Sequence, residues 1–568
     1  MLYSFDIFDT CLVRLCGEPE NMIDVLSYKV VDLINSKEGT GHKTSEHLRR
    51  LFVEARRNTG GQLENVYQHI ARIFPLPCSS EEMAQLEMDT ERELLVPVLA
   101  TRQLVNQLRS KGEIAFLSDM YLPTGFLREQ LKSHGFFKDG DRIFVSDDLN
   151  AWKRDGSLYK HVHKQAGVPY KRWHHYGDNL KSDVQIPRRL GIHAHHLEYK
   201  YIYYEKKWLK QPTLSNKSMA IMAGLSRAIR LSIKADRDQS AFVTDISAPF
   251  QCIWMSHVLQ DAKKRNIEKI FFCARDVHSA YRIARTLKNR SSEFNNIEIT
   301  YFFTSQIAVS EGGDLADRYY RQIGLIPTEH VAIVDSRTRG WSLMRLQNAV
   351  SHGEYPPFMA YYWHLDTREE ECRQCLANYP TDSLYHIGLI VNNPWSKIAT
   401  IASWVSMIEY GFSINHHHNK TVSYRERSCG RVGPVFAKGD NAYMPNVKQF
   451  KRDNDSLLES YAKGFVSCQL TRHTDTLMQS LLIPTLIDFT SSPQKRYLQY
   501  LTKICVSGAN HPYVCSVFKS NNRKVRWLLG SIVYSLPSPL DRIYCKLRYT
   551  KTGRTIRKWI SRRMKIQI

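Results

Sequence analysis

The sequence predicts an α/β protein with two successive parallel-sheet domains and a basic, mainly helical C-terminal region. Three observations predict this class. From residue 113 onward, short apolar runs typical of buried strands alternate with stretches of helical apolar spacing. The same alternation returns between residues 269 and 347. From Thr421 to the end, 26 Lys and Arg face only 8 Asp and Glu, so most of the net charge of +23 belongs to this last quarter.

The chain opens on "MLYSFDIF", an apolar run typical of a buried strand. Helical apolar spacing follows between residues 20 and 112, as in "MIDVLSYKVVDLI", with few strand-like runs. Four further short strand-like runs then alternate with helical stretches, at residues 113–119, 141–148, 172–179 and 192–198. This alternation favours a parallel sheet with crossover helices, and ligands of such sheets bind beyond the carboxyl ends of the strands.

Polar side chains stand at the ends of three of these predicted strands. Asp6 ends the first, Ser118 and Asp119 end the second, and Asp178 lies in the run at residues 172–179. Carboxylate oxygens are ligands that Mg²⁺ prefers, and a carboxylate can also attack an electrophile to form a covalent intermediate. The sequence therefore predicts that Asp6 is a nucleophile or a metal ligand. Taken singly, each of these residues could equally cap a helix or form a turn.

Four segments carry polar residues in a fixed order: "FDIFDT", "IAFLSDMYLP", "WKRDGSLY" and "YGDNLKSDV". In this order and strand context, residues 1 to 212 resemble the haloacid dehalogenase-like (HAD) superfamily. The resemblance places Asp6 in the nucleophile position and Ser118 as the hydroxyl that contacts phosphate. It places Lys153 at the third motif, and Asp178 and Asp183 at the fourth.

This resemblance implies a Rossmann-like core at residues 1–17 and 96–212, with a helical cap at 18–95. It implies a hydrolase, most simply a Mg²⁺-dependent phosphatase whose substrate is a phosphorylated sugar or a related small molecule. The metal would be held by Asp6, by a main-chain oxygen near Phe8, and by Asp178. Lys153 would neutralise the phosphate, and Asp183 would orient metal-bound waters or Lys153.

Phe8 departs from the pattern of the phosphatases in this superfamily. The position two residues after the nucleophile normally carries a second Asp, which protonates the leaving oxygen and then deprotonates the attacking water. Relatives that cleave carbon–halogen or carbon–phosphorus bonds lack this acid. Asp9 is predicted to replace it if the turn directs its side chain inward, and otherwise to stabilise the turn. Phe8 therefore also leaves open a non-catalytic scaffold that has kept a HAD fold.

The second α/β domain is predicted over residues 213–420. Arg275, Asp276 and Asp335 lie at predicted strand ends, and Gly340 precedes a helix whose N-terminus would bind an anion. The plan resembles a phosphoribosyltransferase-like domain. An alternative function is a glycan-biosynthesis transferase with its chemistry in this domain. The alternative is a purely structural role, in which Arg275 and Asp276 pair with each other and hold the loop together.

The two domains together resemble large bacterial HAD-like proteins associated with surface-polysaccharide synthesis. The resemblance implies a bacterial cytoplasmic protein. A cytoplasmic location also agrees with the first apolar stretch, which Asp6 and Asp9 interrupt, and with the absence of an apolar run long enough to span a bilayer.

The basic C-terminal region is predicted over residues 421–568. Between Arg523 and Ile568 there are thirteen Lys and Arg and one acid, Asp541. In "RTIRKWISRRMKI" the apolar residues recur at helical spacing with cations between them, a pattern typical of an interfacial helix. We expect peripheral contact with an anionic membrane surface at the inner face of the cytoplasmic membrane. Packing of this helix on the protein itself is the alternative, and a nucleic-acid partner is not expected because no binding motif is recognisable.

Overall fold

The computed structural model describes two compact units. The first consists of Met1–Lys234 with Gly464–His473, and the second of Ala235–Lys463 with Thr474–Ile568. The described residues are 1–38, 44–59, 62–74, 76–210, 216–326, 328–338, 346, 358–365, 384–386, 419–438, 447–502, 550, 552 and 555. Gly340 and nearly all of the predicted basic helix near the C-terminus lie outside these residues.

The first unit is built on a parallel sheet with β1 at its centre. The strands of the unit are β1 (Leu2–Asp6), β2 (Leu12–Arg14), β3 (Leu95–Pro97), β4 (Glu113–Ser118), β5 (Arg142–Val145), β6 (Trp173–Gly177) and β7 (His193–His196). The sheet has the order β5-β4-β1-β6-β7, and β1 pairs in parallel with β4 and β6. All five residues of β1 are buried, which explains its continuous apolar run.

Helices cover this sheet and form a block between β2 and β3. The helices of the unit are α1 (Pro19–Glu38), α2 (Ser45–Thr59), α3 (Leu63–Ile73), α4 (Ser80–Leu94), α5 (Leu99–Leu108), α6 (Thr124–Ser133), α7 (Ser146–Leu149), α8 (Ser157–Ala166), α9 (Ile186–Arg189), α10 (Tyr203–Leu209) and α11 (Asn216–Ser232). Helix α4 begins at a capping box, in which Ser79 and Glu82 exchange hydrogen bonds of 2.8 and 3.1 Å.

The short strands β2 and β3 pair in antiparallel fashion on either side of the helical block, with Arg14 opposite Leu95. Sequence spacing predicts a mainly helical stretch over residues 20–112 and gives no separate indication of β3, which is only three residues long. Strand β5 also ends earlier than predicted, at Val145, because Ser146 begins the helical turn α7.

The second unit holds another parallel sheet, so the α/β class predicted for both domains is confirmed. Its strands are β8 (Lys269–Cys273), β9 (Glu298–Phe302), β10 (Val331–Thr338), β11 (Met359–Leu365) and β12 (Leu384–His386), in the order β12-β11-β10-β8-β9. A hairpin of β13 (Thr421–Glu426) and β14 (Val432–Phe436) is antiparallel.

Helices accompany this second sheet and make up most of the described residues after the hairpin. The helices are α12 (Arg237–Phe242), α13 (Ala248–Lys264), α14 (His278–Arg290), α15 (Gln306–Glu311) and α16 (Gly313–Gln322), followed by Val447–Ser467, Thr474–Leu477, Ile483–Ser491 and Lys495–Thr502. Within the described part of the chain, no helix combines the length and apolar composition needed to cross a bilayer.

Candidate active site

A cavity of about 370 Å³ opens at the carboxyl ends of β1 and β4 and beside the loop after β6. It is lined by all seven of the predicted site residues of the first unit: Asp6, Phe8, Asp9, Ser118, Lys153, Asp178 and Asp183. Asp6 and Leu117 are partners in adjacent strands, so Ser118 follows directly beside the end of β1. The parallel sheet thus brings residues that are far apart in sequence to one edge.

Lys153 is a buried cation that lines this cavity beside Asp6. Its buried Nζ atom donates hydrogen bonds to Oδ1 of Asp6 and to Oδ1 of Asp183, the latter at 2.7 Å. Burial alone would lower the pKa of the Lys153 ammonium, but attraction to Asp183 and Asp6 raises it. The turn that carries Lys153 is held by Asp119, whose carboxylate accepts hydrogen bonds from the backbone N–H groups of Lys153 (2.7 Å) and Arg154 (3.2 Å).

Asp183 is held by three donors. Lys153 and His175 Nε2 (3.2 Å) contact its Oδ1, and the backbone N–H of Asn179 donates to its Oδ2 at 3.1 Å. Burial alone would raise the pKa of Asp183, but Lys153 and His175 hold it well below its usual range. Gly177 is required beside it, because a Cβ at this position would lie 2.5 Å from the Asp183 side chain.

A buried hydrogen-bond chain fixes the orientation of His175. Trp173 Nε1 donates to Ser4 Oγ at 2.7 Å, and Ser4 Oγ lies 2.7 Å from His175 Nδ1. Because Ser4 receives the Trp173 proton, its own hydroxyl proton is available to His175 Nδ1. The proton of His175 is then on Nε2, where it faces Asp183. This series of hydrogen bonds ends at Asp183 and holds its carboxylate in place. It was not predicted from the sequence, since strand alternation does not reveal which histidine faces a carboxylate.

The carboxylates of the cavity carry more negative charge than Lys153 neutralises. Oxygen atoms of Asp6, Asp178 and Asp183 all lie within 4.8 Å of one another. With all groups ionised, three carboxylates against one ammonium leave a formal charge of −2. Burial raises the pKa of Asp6, and burial followed by repulsion from Asp9 and Asp183 raises the pKa of Asp178 to about 6. A divalent cation with oxygen ligands fits both the charge and the donor set.

Mg²⁺ binding should weaken as the pH falls through about 6. Below this value the Asp178 carboxyl is protonated in the metal-free protein, so a proton competes with the metal and the affinity falls by up to about tenfold per pH unit. Calorimetric titration with Mg²⁺ at several pH values measures this effect. Asp178→Asn should weaken Mg²⁺ binding at neutral pH and remove the contribution of Asp178 to the pH dependence of the affinity. Asp148 is exposed, so Asp148→Asn should behave as wild type. Equal affinity of wild type at pH 5 and pH 7 would contradict the assignment.

Two buried hydroxyl groups of the first unit have no hydrogen-bond partner among the described residues, and one of them, that of Ser118, belongs to a residue that lines the cavity. Ser118 is 2% exposed, and its hydroxyl has no hydrogen-bond partner among the described residues. The Oγ1 atom of Thr10 is fully buried and likewise without a partner in the described part of the chain, although the Thr10 carbonyl accepts a bond of 2.6 Å from Thr101. Ser118 is thus available as a donor to a ligand in the cavity.

Asp9 forms an ion pair with Arg227, a residue that the sequence did not indicate as part of the site. Its backbone has φ 55°, in the left-handed region that Asp tolerates better than most residues. Its Oδ1 accepts a hydrogen bond of 2.8 Å from Nη1 of Arg227, which also donates from Nε to the Tyr199 carbonyl at 2.8 Å. The carboxylate of Asp9 is therefore engaged in an ion pair with Arg227.

Phe8 lines the cavity beneath the guanidinium of Arg14, whose Cζ atom lies 4.3 Å from the centre of the ring. The structure thus places Phe8 in the cavity wall, and the metal-binding role predicted for its main-chain oxygen stays a prediction. Arg14 also lines the cavity, and it pairs with the fully buried Glu91. Strand pattern alone gave no signal for this arginine, because the three-residue strand β2 could not be recognised.

A second arginine, Arg56, lines the cavity from helix α2. Its Nη2 atom donates to the buried Glu87 at 2.5 Å, and the hydroxyl groups of Tyr121 (2.7 Å) and Tyr67 donate to the same carboxylate. The ring of Tyr121 lies 5.6 Å from the Arg56 Cζ atom. Three donors on one carboxylate fix the position of this part of the cavity wall.

In the second unit, the predicted residues come to the carboxyl edge of neighbouring strands. Asp335 lies in β10, while Arg275 and Asp276 form the turn after β8, which pairs with β10. Burial raises the pKa of Asp335 to about 7, with a contribution from Asp276 and opposition from the Ser336 N–H, which donates to its Oδ1 at 2.7 Å. The chemistry assigned to these residues stays a prediction.

Comparison with known proteins finds similarity only among solved structures: no protein-family model and no curated protein matches the sequence. A HAD phosphatase from Thermococcus onnurineus is 20% identical, with 36% of this chain and 88% of that chain covered and a TM-score of 0.27. A HAD family hydrolase from Deinococcus radiodurans R1, solved with bound phosphate and sodium, is 15% identical over 34% and 77% of the two chains, at a TM-score of 0.22.

The HAD-hydrolase YfnB from Bacillus subtilis, solved bound to magnesium, is 14% identical over 34% of this chain and 85% of that chain, at a TM-score of 0.25. These structural neighbours cover about a third of the chain. The α/β assignment itself rests on the strand order and parallel register described above.

Proposed function

We propose that the first unit is a HAD-like hydrolase, a Mg²⁺-dependent phosphatase that acts on a phosphorylated sugar or related metabolite. The observation that carries this proposal is the position of Asp6. It ends the central strand, contacts Lys153, and lines a cavity with Ser118 and Asp178. Phosphoryl transfer through a covalent intermediate requires a nucleophile and groups that offset the charge of the phosphate. The cavity offers a carboxylate, a cation, a hydroxyl donor and an acidic cluster able to bind a metal ion.

In the first step, a carboxylate oxygen of Asp6 attacks phosphorus, and the bond from phosphorus to the leaving oxygen breaks. Lys153 offsets the negative charge that otherwise repels the anionic substrate, and Ser118 donates a hydrogen bond to a phosphate oxygen. Asp6, Asp178 and Asp183 would hold Mg²⁺, which supplies further charge neutralisation when bound. In the second step, water attacks phosphorus of the aspartyl-phosphate, the bond from phosphorus to the Asp6 oxygen breaks and Asp6 is released as a carboxylate, while the proton of the attacking water passes to inorganic phosphate or to solvent.

A screen of the purified full-length protein against phosphosugars and other phosphorylated metabolites, with and without Mg²⁺, tests the proposal. We expect release of inorganic phosphate from at least one class of compound, with Mg²⁺ required because the acidic cluster otherwise repels an anion. Removal of the metal with a chelator should abolish release, and readdition of Mg²⁺ should restore it. Release that is unaffected by the chelator would contradict the metal requirement, and no release from any compound would contradict the proposed activity.

A further inference from the structure

Arg14 lines the cavity, where it pairs with Glu91 and lies over Phe8. In phosphoryl transfer, the attacking and leaving oxygens lie roughly in line on opposite sides of phosphorus. Attack by Asp6 therefore directs the leaving oxygen away from Lys153 and the acidic cluster. Of the arginine and lysine side chains that line this cavity, Lys153 pairs with the acidic cluster, whereas Arg14 and Arg56 pair with Glu91 and Glu87 outside it.

The guanidinium of Arg14 is held in place from two sides. Its Nε and Nη2 atoms donate to the Glu91 carboxylate at 2.9 to 3.1 Å, and its flat face lies over the Phe8 ring at 4.3 Å. The third nitrogen, Nη1, has no hydrogen-bond partner among the described residues, and it is not fully buried. Nη1 is thus a charged donor without a partner among the described residues, on a side chain that lines the cavity.

We propose that Nη1 of Arg14 donates a hydrogen bond to the leaving oxygen and stabilises it as an anion, in place of protonation by a general acid. This inference rests on the proposed phosphatase function. As Asp6 forms its bond to phosphorus, the bond to the leaving oxygen breaks and its electron pair stays on that oxygen. Arg14 keeps its proton, because a guanidinium does not deprotonate in proteins, and water later protonates the released group.

The proposal restricts the substrate class. A hydrogen bond from Arg14 stabilises an oxyanion less completely than proton transfer does, so leaving groups that are stable as anions should react best. Phosphoanhydrides, as in nucleotide-linked sugars, and acyl phosphates meet this condition. Among phosphorylated sugars, those with the phosphate on the anomeric oxygen should react better than those with the phosphate on a primary hydroxyl, because the anomeric oxyanion is the weaker base.

A series of aryl phosphates, from p-nitrophenyl phosphate to phenyl phosphate, tests this role, because the phenols differ in acidity but little in size. Arg14→Gln alone would leave the Glu91 carboxylate buried without its partner and could prevent folding. The double variant Arg14→Gln with Glu91→Gln avoids this, since two amides can pair. The matched control is Arg56→Gln with Glu87→Gln, which removes the other cavity arginine and its glutamate but leaves Arg14 over Phe8.

We expect kcat of the Arg14 and Glu91 double variant to fall about 10²-fold for phenyl phosphate and less than about tenfold for p-nitrophenyl phosphate, since one oxyanion donor is lost. The dependence of rate on phenol acidity should therefore steepen. The control double variant should change all rates by a similar factor. A slope equal to wild type in the Arg14 variant, with or without a uniform rise in KM, would overturn the proposal.

Asp6→Asn is measured on the same substrates to separate the two hypotheses. If Asp6→Asn abolishes hydrolysis but the Arg14 variant keeps the wild-type slope, the phosphatase proposal stands and the role of Arg14 is wrong. If wild type releases phosphate from phosphorylated metabolites but from no aryl phosphate, the proposed function stands and the role of Arg14 is wrong, because the best leaving groups should react first. If wild type releases phosphate from no compound at all, or Asp6→Asn is as active as wild type, the proposed function itself is wrong and the role of Arg14 is wrong with it.

Discussion

Asp6→Asn should reduce kcat/KM for the best phosphorylated substrate at least about 10⁴-fold, because loss of a nucleophile removes nearly all of the chemistry. The amide has almost the same shape as the carboxylate and can still accept a hydrogen bond from Lys153. It lacks the charge and nucleophilicity needed to form a covalent intermediate. Steady-state phosphate release with saturating Mg²⁺ measures the effect.

Asp9→Asn is the informative comparison. Asp9 lines the same cavity, but its carboxylate is paired with Arg227, and an amide oxygen can still accept that hydrogen bond. We expect the activity of Asp9→Asn to stay within about tenfold of wild type. A loss as large as that of Asp6→Asn would identify Asp9 as the missing acid. Full activity of Asp6→Asn would instead direct the search to Arg275 and Asp335 in the second unit.

Glu87→Ala should lower the free energy of unfolding of the first unit by about 3–5 kcal/mol, the usual cost of removing one partner of a buried ion pair. Glu87 is fully buried, and its carboxylate accepts hydrogen bonds from Arg56, Tyr67 and Tyr121. The substitution leaves a largely buried guanidinium without its counter-charge and two hydroxyl groups without their acceptor.

Hydrogen exchange of α2, α3 and α4 during urea unfolding measures this loss within the first unit, without interference from the second. Arg50→Ala is the matched control, because Arg50 pairs with Glu46 on the surface of α2 at 76% and 48% side-chain exposure. Exposed pairs contribute about 0–1 kcal/mol, so this control should change stability little. If Glu87→Ala and Arg50→Ala had the same small effect, the buried network would not stabilise the helical block.

The sequence predicts the part of the site that depends on strands. The apolar run before Asp6 indicates a central buried strand, and parallel strands end at one edge, so the proximity of Asp6, Ser118 and Asp178 follows from local pattern and topology. The position of Lys153 is different. Nothing in its local spacing places it beside Asp6, and only the resemblance in motif order indicated it.

The remaining parts of the site depend on tertiary packing and left no local signal. Arg227 reaches Asp9 across 218 positions of sequence. Arg14 lies on a three-residue strand that is too short to recognise, and its contact with Glu91 depends on how the helical block packs. Glu87 lies in a helix that contains several other acidic residues, and nothing in its spacing distinguishes it from those that are exposed. Its burial follows from tertiary packing, which surrounds it with three donors.

The most direct test of the central claim is to trap the aspartyl-phosphate on Asp6. The full-length protein is mixed with Mg²⁺ and its best substrate, quenched, and treated with borohydride, which reduces an acyl phosphate to an alcohol and so converts the modified aspartate to homoserine. Peptide mass spectrometry then reads residue 6. The account predicts homoserine at residue 6 when substrate is present and unchanged aspartate when it is absent. Rapid turnover with an unmodified Asp6, or homoserine at another aspartate such as Asp178, would contradict it.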